Sequence, residues 1–247
     1  MDIGRAQLEE DVPGLLARAD QAYTKSRGVR ISANAAAGLE KADRIQPGDV
    51  EVLWRMARAY VTLANAVPDR SLRRRLAETA LARTKDCGRE ATVPGMPPLA
   101  LPACLYFEAA SAGIAASLNP TPTPADQRAV ETPAQRLVLL DPRYVKGGGL
   151  RILGALYARA PAWPAGVGDL EEAVDLLERA VQMHPEHPLN HFFLAEAYAR
   201  AGRIRDATVA YRTVLKAPST GEWALIGRTY RALARDRFES LTHEMTP

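Results

Sequence analysis

The chain has 247 residues, 47% of them apolar and 25% charged, a composition that excludes a disordered tail, a collagenous chain or a mucin-like stalk. Its 32 lysines and arginines face 29 acids, and a net charge of +3 lacks the dominant basic stripe that nucleic-acid binding requires. No apolar run approaches the ~18 residues of a membrane span. The start, Met1-Asp2-Ile3-Gly4-Arg5, opens no apolar signal segment, and two cysteines make neither a disulfide framework nor a zinc cluster.

In chain order, periodicity predicts a first helix over residues 5–25, delayed or kinked by Pro13. Ala35, Leu39, Ala42 and Pro47 then place small, large, small and helix-stopping residues at fixed offsets. Leu53, Met56, Ala57 and Tyr60 follow as large, large, small and aromatic, so a helix pair is expected over 28–66. Residues 67–146 read as an irregular helical middle. Within it, Ser71 caps a basic helix from Leu72 to Lys85 whose Arg73-Arg74-Arg75 run lies on the solvated face. Four prolines between Pro94 and Pro102 make a loop. Cys104 to Leu118 reads as a buried helix with Ala109, Ala110, Gly113 and Ala116 as a small-residue face. Asn119 to Pro124 is a linker, and a further helix covers 125–140. Two more helix pairs occupy 147–216, and a capping helix runs over 221–240. No stretch reads as a strand.

Self-similarity decides the architecture. Ala173, Leu177, Ala180 and Pro185 repeat the spacing of Ala35, Leu39, Ala42 and Pro47, and 34 residues after Ala173 comes Ala207, with Tyr211 at the offset of Leu177. Between them His191, Leu194, Ala195, Tyr198 and Gly202 fall on the positions of a preceding first helix. This period and grammar resemble the tetratricopeptide (TPR) repeat. Leu153, Gly154 and Tyr157 begin another unit, whose second helix arrives seven residues late after the inserted turn Ala160 to Gly168. The expected fold is a single all-α domain over 1–247, a right-handed α-solenoid of about four degenerate TPR-like helix pairs. Ala57, Gly154 and Ala195 allow close helix crossings, and Tyr60, Tyr157 and Tyr198 are expected to fill the gap under the next pair.

The block from Leu140 to Leu215 resembles something narrower. Leu140-Asp141-Pro142-Arg143-Tyr144, Gly147-Gly148-Gly149-Leu150-Arg151-Ile152-Leu153-Gly154 and Leu156-Tyr157-Ala158-Arg159-Ala160-Pro161 are similar to the TatT component family of TRAP transporters. Gly168 to Ala173, Pro188 to Tyr198 and the upstream helix Cys104 to Ala110 continue the likeness. The resemblance implies a periplasmic, often lipid-anchored scaffold that forms a trimer, cooperates with a solute-binding partner and holds a small apolar or organic-acid ligand in a cleft. The start carries no signal segment or lipobox cysteine, so the chain is cytoplasmic if Met1 is its native beginning. The alternative function is a cytosolic TPR adaptor that holds a peptide or partner protein in its concave groove. A basic lining would favour acidic peptide tails, and an apolar lining the small ligand.

Tyr106, Tyr144, Arg151, Tyr157, Trp163, Asn190 and His191 are the candidate ligand or partner contacts. Trp163, on the proline-rich inserted turn, either forms a cleft rim or plugs the gap left by the insertion. Gly147-Gly148-Gly149 ahead of a helix either presents amides to an anion, aided by Arg151, or is a flexible lead-in turn. His184, His187 and His191 would need a fourth ligand, which only Glu186 or the distant His243 offers; His184 and His187 are expected in a turn and His191 pointing towards the repeat core, with no metal or cofactor. Cys87 and Cys104 would form a bridge in an oxidising compartment and stay free in the cytosol. No nucleophile–base constellation is present, so catalysis is not expected.

Overall fold

A computed structural model of the chain describes residues 11–25, 29–92, 95, 100–218 and 223–244. The described residues form five consecutive helix pairs and a final helix: α1 (Val12–Lys25) with α2 (Val29–Ile45), α3 (Val50–Ala66) with α4 (Arg70–Glu90), α5 (Ala100–Ser117) with α6 (Pro124–Leu140), α7 (Tyr144–Tyr157) with α8 (Leu170–Met183), α9 (Pro188–Arg200) with α10 (Ile204–Lys216), and then α11 (Trp223–Glu244). Among them the only extended pairing is an isolated bridge between Ala162 and Gly168. The architecture is a right-handed α-solenoid of TPR-like pairs.

Local chemistry sets the helix starts. Asp49 accepts hydrogen bonds from the Glu51 and Val52 amides, Asp169 caps α8 through the Glu172 amide, and Thr123 with Asp126 forms a reciprocal capping box for α6. The fourth helix starts earlier than Ser71 suggests. Asp69 is its cap, accepting from the Leu72 amide at 2.6 Å, and the Ser71 hydroxyl only braces that carboxylate at 2.8 Å. The basic run is not wholly solvated either. Arg70 and Arg74 each donate to the Leu118 carbonyl at 2.7 Å, closing the end of α5, and Arg73 has a buried Nε. Pro13 lies in the first turn of α1 and Pro102 in that of α5, where a missing amide hydrogen costs nothing. The expected helical residues 5–10 and most of the expected proline loop lie outside the described residues.

The count of five pairs rather than about four comes from α5 and α6. Both were expected as helices of the irregular middle but not as a repeat pair: α5 packs on α3, α4, α6 and α7 and is apolar around most of its girth, which hides the small-and-large spacing of a repeat. By length and composition it is also apolar enough to cross a membrane, but more than half of it is buried among its neighbours. Cys87 at the end of α4 and Cys104 in α5 are joined by a disulfide, with Cα atoms 5.6 Å apart.

The small residues sit where the helices cross. Ala57 and Ala195 are fully buried, and a Cβ on Gly154 would come within 2.5 Å of Leu177. The recurring tyrosines face the preceding pair rather than the next. Tyr60 donates to Glu40, Tyr157 to Glu131 at 2.8 Å and Tyr198 to Glu178 at 2.7 Å, each linking a first helix to the second helix before it. Burial and the adjacent carboxylate raise the Tyr157 and Tyr198 phenols to about 12. The odd-numbered helices touch one another in a row, and the row turns far enough that α11 packs on α3 as well as on α9 and α10.

Candidate functional site

That turn of the row borders a cavity that opens to solvent and is walled mainly by odd-numbered helices, a space of about 790 Å3 with its open mouth included. Tyr23 of α1, Val61 and Asn65 of α3, and Tyr106 and Phe107 of α5 form one side. Val145 and Arg151 of α7 and His187 and Leu189 at the start of α9 form the second. Trp223, Ile226 and Tyr230 close the third, at spacings of three and four that keep them on one face of α11. The aromatic ring of Tyr230 packs on Phe192, Phe193 and Trp223, fixing α11 to α9.

The polar end of the cavity is built around a left-handed turn. Val145, Lys146 and Gly147 take φ of 46°, 53° and 78° within α7, before the right-handed helix resumes. A left-handed conformation costs a non-glycine residue roughly 1–2 kcal/mol, and β-branched Val145 is an outlier there. The Lys146 carbonyl exposed by this turn is held by two side chains: Asn190 Nδ2 donates to it at 3.1 Å and Arg151 Nη1 at 3.3 Å. Arg151 also donates to Asn190 Oδ1 at 2.7 Å and, through Nη2, to the Tyr106 hydroxyl at 3.3 Å. Asn190 itself is fully buried and reaches back to the Ala180 carbonyl at 3.0 Å.

Arg151 is 3% exposed, and among the described residues no carboxylate pairs with it. The smaller hollow among α1, α2 and α3 is different, because its Arg55 and Arg58 both reach Asp20, at 2.9 and 2.6 Å. Beside Arg151, burial and the charges of Arg151 and Lys146 push His187 down to about 3, so its ring is neutral and its buried Nε2 has no hydrogen-bond partner. Burial raises the Tyr230 phenol, opposed by the guanidiniums of Arg73, Arg159 and Arg151.

The structure thus brings together Tyr106, Tyr144, Arg151 and Asn190, with Tyr144 packed edge-on behind Tyr106 at 5.9 Å. It leaves three candidates elsewhere. Tyr157 belongs to the tyrosine–glutamate links between pairs. Trp163 is 85% exposed on the inserted turn and neither lines the cavity nor plugs a gap. His191 does not enter the repeat core; its Nε2 lies 2.7 Å from the Pro185 carbonyl, bracing the turn. The triple glycine leads into the helix through closely packed positions that leave its amides no open face for an anion. All three are buried: Gly147 adopts the left-handed φ, a Cβ on Gly148 would lie 2.5 Å from the Tyr106 ring, and one on Gly149 would meet Val138 at 2.9 Å. No group of three metal-ligating side chains converges among the described residues. Sequence reasoning missed His187, taken as a turn residue, and the α11 face, which Trp223, Ile226 and Tyr230 announce by helical spacing.

A helical-repeat scaffold is the class that the fold defines. Residues 165–225, covering α8 to α10 and the start of α11, match the tetratricopeptide repeat family. A thermophilic TPR protein of Thermus thermophilus, TTC0263, shares the fold at a TM-score of 0.63 and 18% identity over 94% of this chain and 98% of that one. The MamA protein is similar at a TM-score of 0.47 and 16% identity, over 91% of this chain and 95% of that one. No curated sequence matches.

Proposed function

We propose that this chain is a non-catalytic scaffold that holds a small organic ligand in its inner cavity and works with a protein partner. The observation that carries this reading is α11 packed against α3, which converts an open groove into a walled pocket. An extended peptide needs a continuous groove, whereas this space is walled by α11, mostly apolar and carries the Arg151 cluster in its lining. The resemblance to TatT components narrows the proposal to a scaffold that receives a solute beside a periplasmic binding protein. The Cys87–Cys104 bridge supports an oxidising compartment for that role.

Titration with 1-aminoanthracene, a neutral apolar probe, tests the pocket. Saturable one-to-one binding that Ile226→Trp abolishes by filling the space is the expected result. The second reading, a peptide adaptor, draws on the same α11 face, which lies where a partner helix would lie. A chain that binds the probe only after α11 is deleted would favour it. Light scattering addresses the assembly: a mass near three times 26.8 kDa would support the trimer of the narrower reading.

A further inference from the structure

A desolvated guanidinium is costly unless a charge answers it. Arg151 is 3% exposed, faces the cavity, and is held by a carbonyl, an amide oxygen and a phenol, all neutral. Those three bonds use three of the five N–H donors that an arginine carries. Of the other cations felt nearby, Arg73 does not line the cavity, and two are already answered. Lys146 Nζ lies 3.0 Å from Glu186 at the surface, and Arg159 lies 3.6 Å from Glu196. His187 contributes no charge, because its ring is neutral there. An internal positive charge in a pocket that holds no negative one marks the position of the ligand's own charge.

We propose that Arg151 is the recognition group of an anion subsite, and that the cavity takes an amphipathic organic anion. The acidic group would rest on the free donors of Arg151, with neutral His187 as a further donor, and the apolar body would lie against Phe107, Trp223 and Ile226. Asn190 and Tyr106 are positioning residues: they fix the guanidinium so that its remaining donors face the cavity. This inference rests on the small-ligand reading above. The one guanidinium in the cavity lining matches one acidic group, and charge-assisted bonds to a fixed guanidinium fork are stronger than those to a neutral acceptor.

The test uses the full, disulfide-intact chain and three probes with one body: 4-phenylbutyrate, 4-phenylbutyl phosphate and neutral 4-phenylbutyramide, measured by titration calorimetry. The expected result is that the chain binds at least one anionic probe ten-fold or more tightly than the amide. Carboxylate and phosphate arms tell which acid the subsite prefers. Arg151→Met should remove the preference while leaving amide binding unchanged, whereas a merely structural arginine would weaken all three probes together. If Arg151→Met does not fold, Arg151→Lys serves instead, and a ten-fold loss confined to the anions is expected. Equal binding of all three probes by the unaltered chain, or anion binding indifferent to either substitution, overturns the subsite and leaves the cavity reading standing. No binding of any probe overturns both.

Discussion

Two buried charges separate the regular C-terminal repeats from the cavity wall. In the repeats, Glu196 is 8% exposed and is answered from every side: Tyr211 donates to it at 2.5 Å, and Arg200, Arg237 and Arg159 lie at 3.3, 3.5 and 3.6 Å. On the cavity wall, Arg151 is buried more deeply and answered only by dipoles. Structural charges in a folded interior are paired because an unpaired one destabilises the fold. A charge kept buried without its opposite is retained for a reason outside the fold's own energetics. The difference places Glu196 in the architecture and is what the proposed anion subsite at Arg151 rests on.

The largest effect is expected at the balanced charge. Glu196→Gln keeps the volume but leaves three guanidiniums around a neutral amide. Because Arg200 and Arg237 reach solvent and are screened, we expect a loss of ~2–3 kcal/mol rather than the full cost of breaking a buried pair, read from urea unfolding. A loss below ~0.5 kcal/mol would erase the architectural half of the contrast. A smaller cost, about 1–2 kcal/mol, is expected for Asn190→Ala, which strips one acceptor from Arg151 and one donor from the Lys146 and Ala180 carbonyls. Asn190 lies in α9, which also carries Glu196, so the two variants compare the two regions through a single helix.

Acid separates the two regions as well. The folded His187 lies near 3 against an ordinary value of 6.5, so its contribution to stability is complete above pH 6.5 and is lost as the pH falls towards 3. Glu196 is also depressed in the fold: burial raises its carboxyl, but the Tyr211 hydroxyl and the Arg159 and Arg200 guanidiniums outweigh it. Its contribution is present above 4.5 and is lost only as the pH falls below that. Between pH 7 and 5 the urea midpoint of the unaltered chain should therefore fall, and His187→Asn should flatten the fall while Glu196→Gln leaves it. A slope unchanged by His187→Asn would show that the cavity end is hydrated enough for the imidazole to protonate freely.

The repeats were legible in sequence because their physics is local. Small residues at helix crossings, such as Gly154 under Leu177, and proline stops recur at fixed offsets, and each is explained by its neighbours along the chain. The cavity was less legible because its parts meet only after the pairs have stacked. Arg151 and Asn190 stood among the candidates, but that they bond each other across 39 residues depends on how α7 and α9 stack. The left-handed turn is hidden by its composition, since Val145 is among the residues least suited to it and only Gly147 hints at it. Closure by α11 is the sum of small rotations between successive pairs, which no single spacing encodes. The tyrosine–glutamate links fall between these cases: Tyr60 to Glu40 and Tyr198 to Glu178 share a separation of 20, while Tyr157 to Glu131 has 26, the extra residues being divided between the end of α6 and the turn that opens α7.

The smallest expected effect is the most telling. Arg151→Met replaces a desolvated cation by an apolar chain of similar length. It forfeits the bonds to Asn190, Tyr106 and the Lys146 carbonyl, but it also removes the cost of burying an unpaired charge. The two terms oppose each other, and a net change within ~1 kcal/mol of zero is expected in urea unfolding, with stabilisation as readily as loss. Glu196→Gln and Arg151→Met would then be two removals of deeply buried charges with opposite consequences, one costing the fold and the other costing only the ligand. A loss of ~3 kcal/mol on Arg151→Met would instead make the guanidinium a staple for the left-handed turn, and the charge of the cavity would belong to the architecture after all.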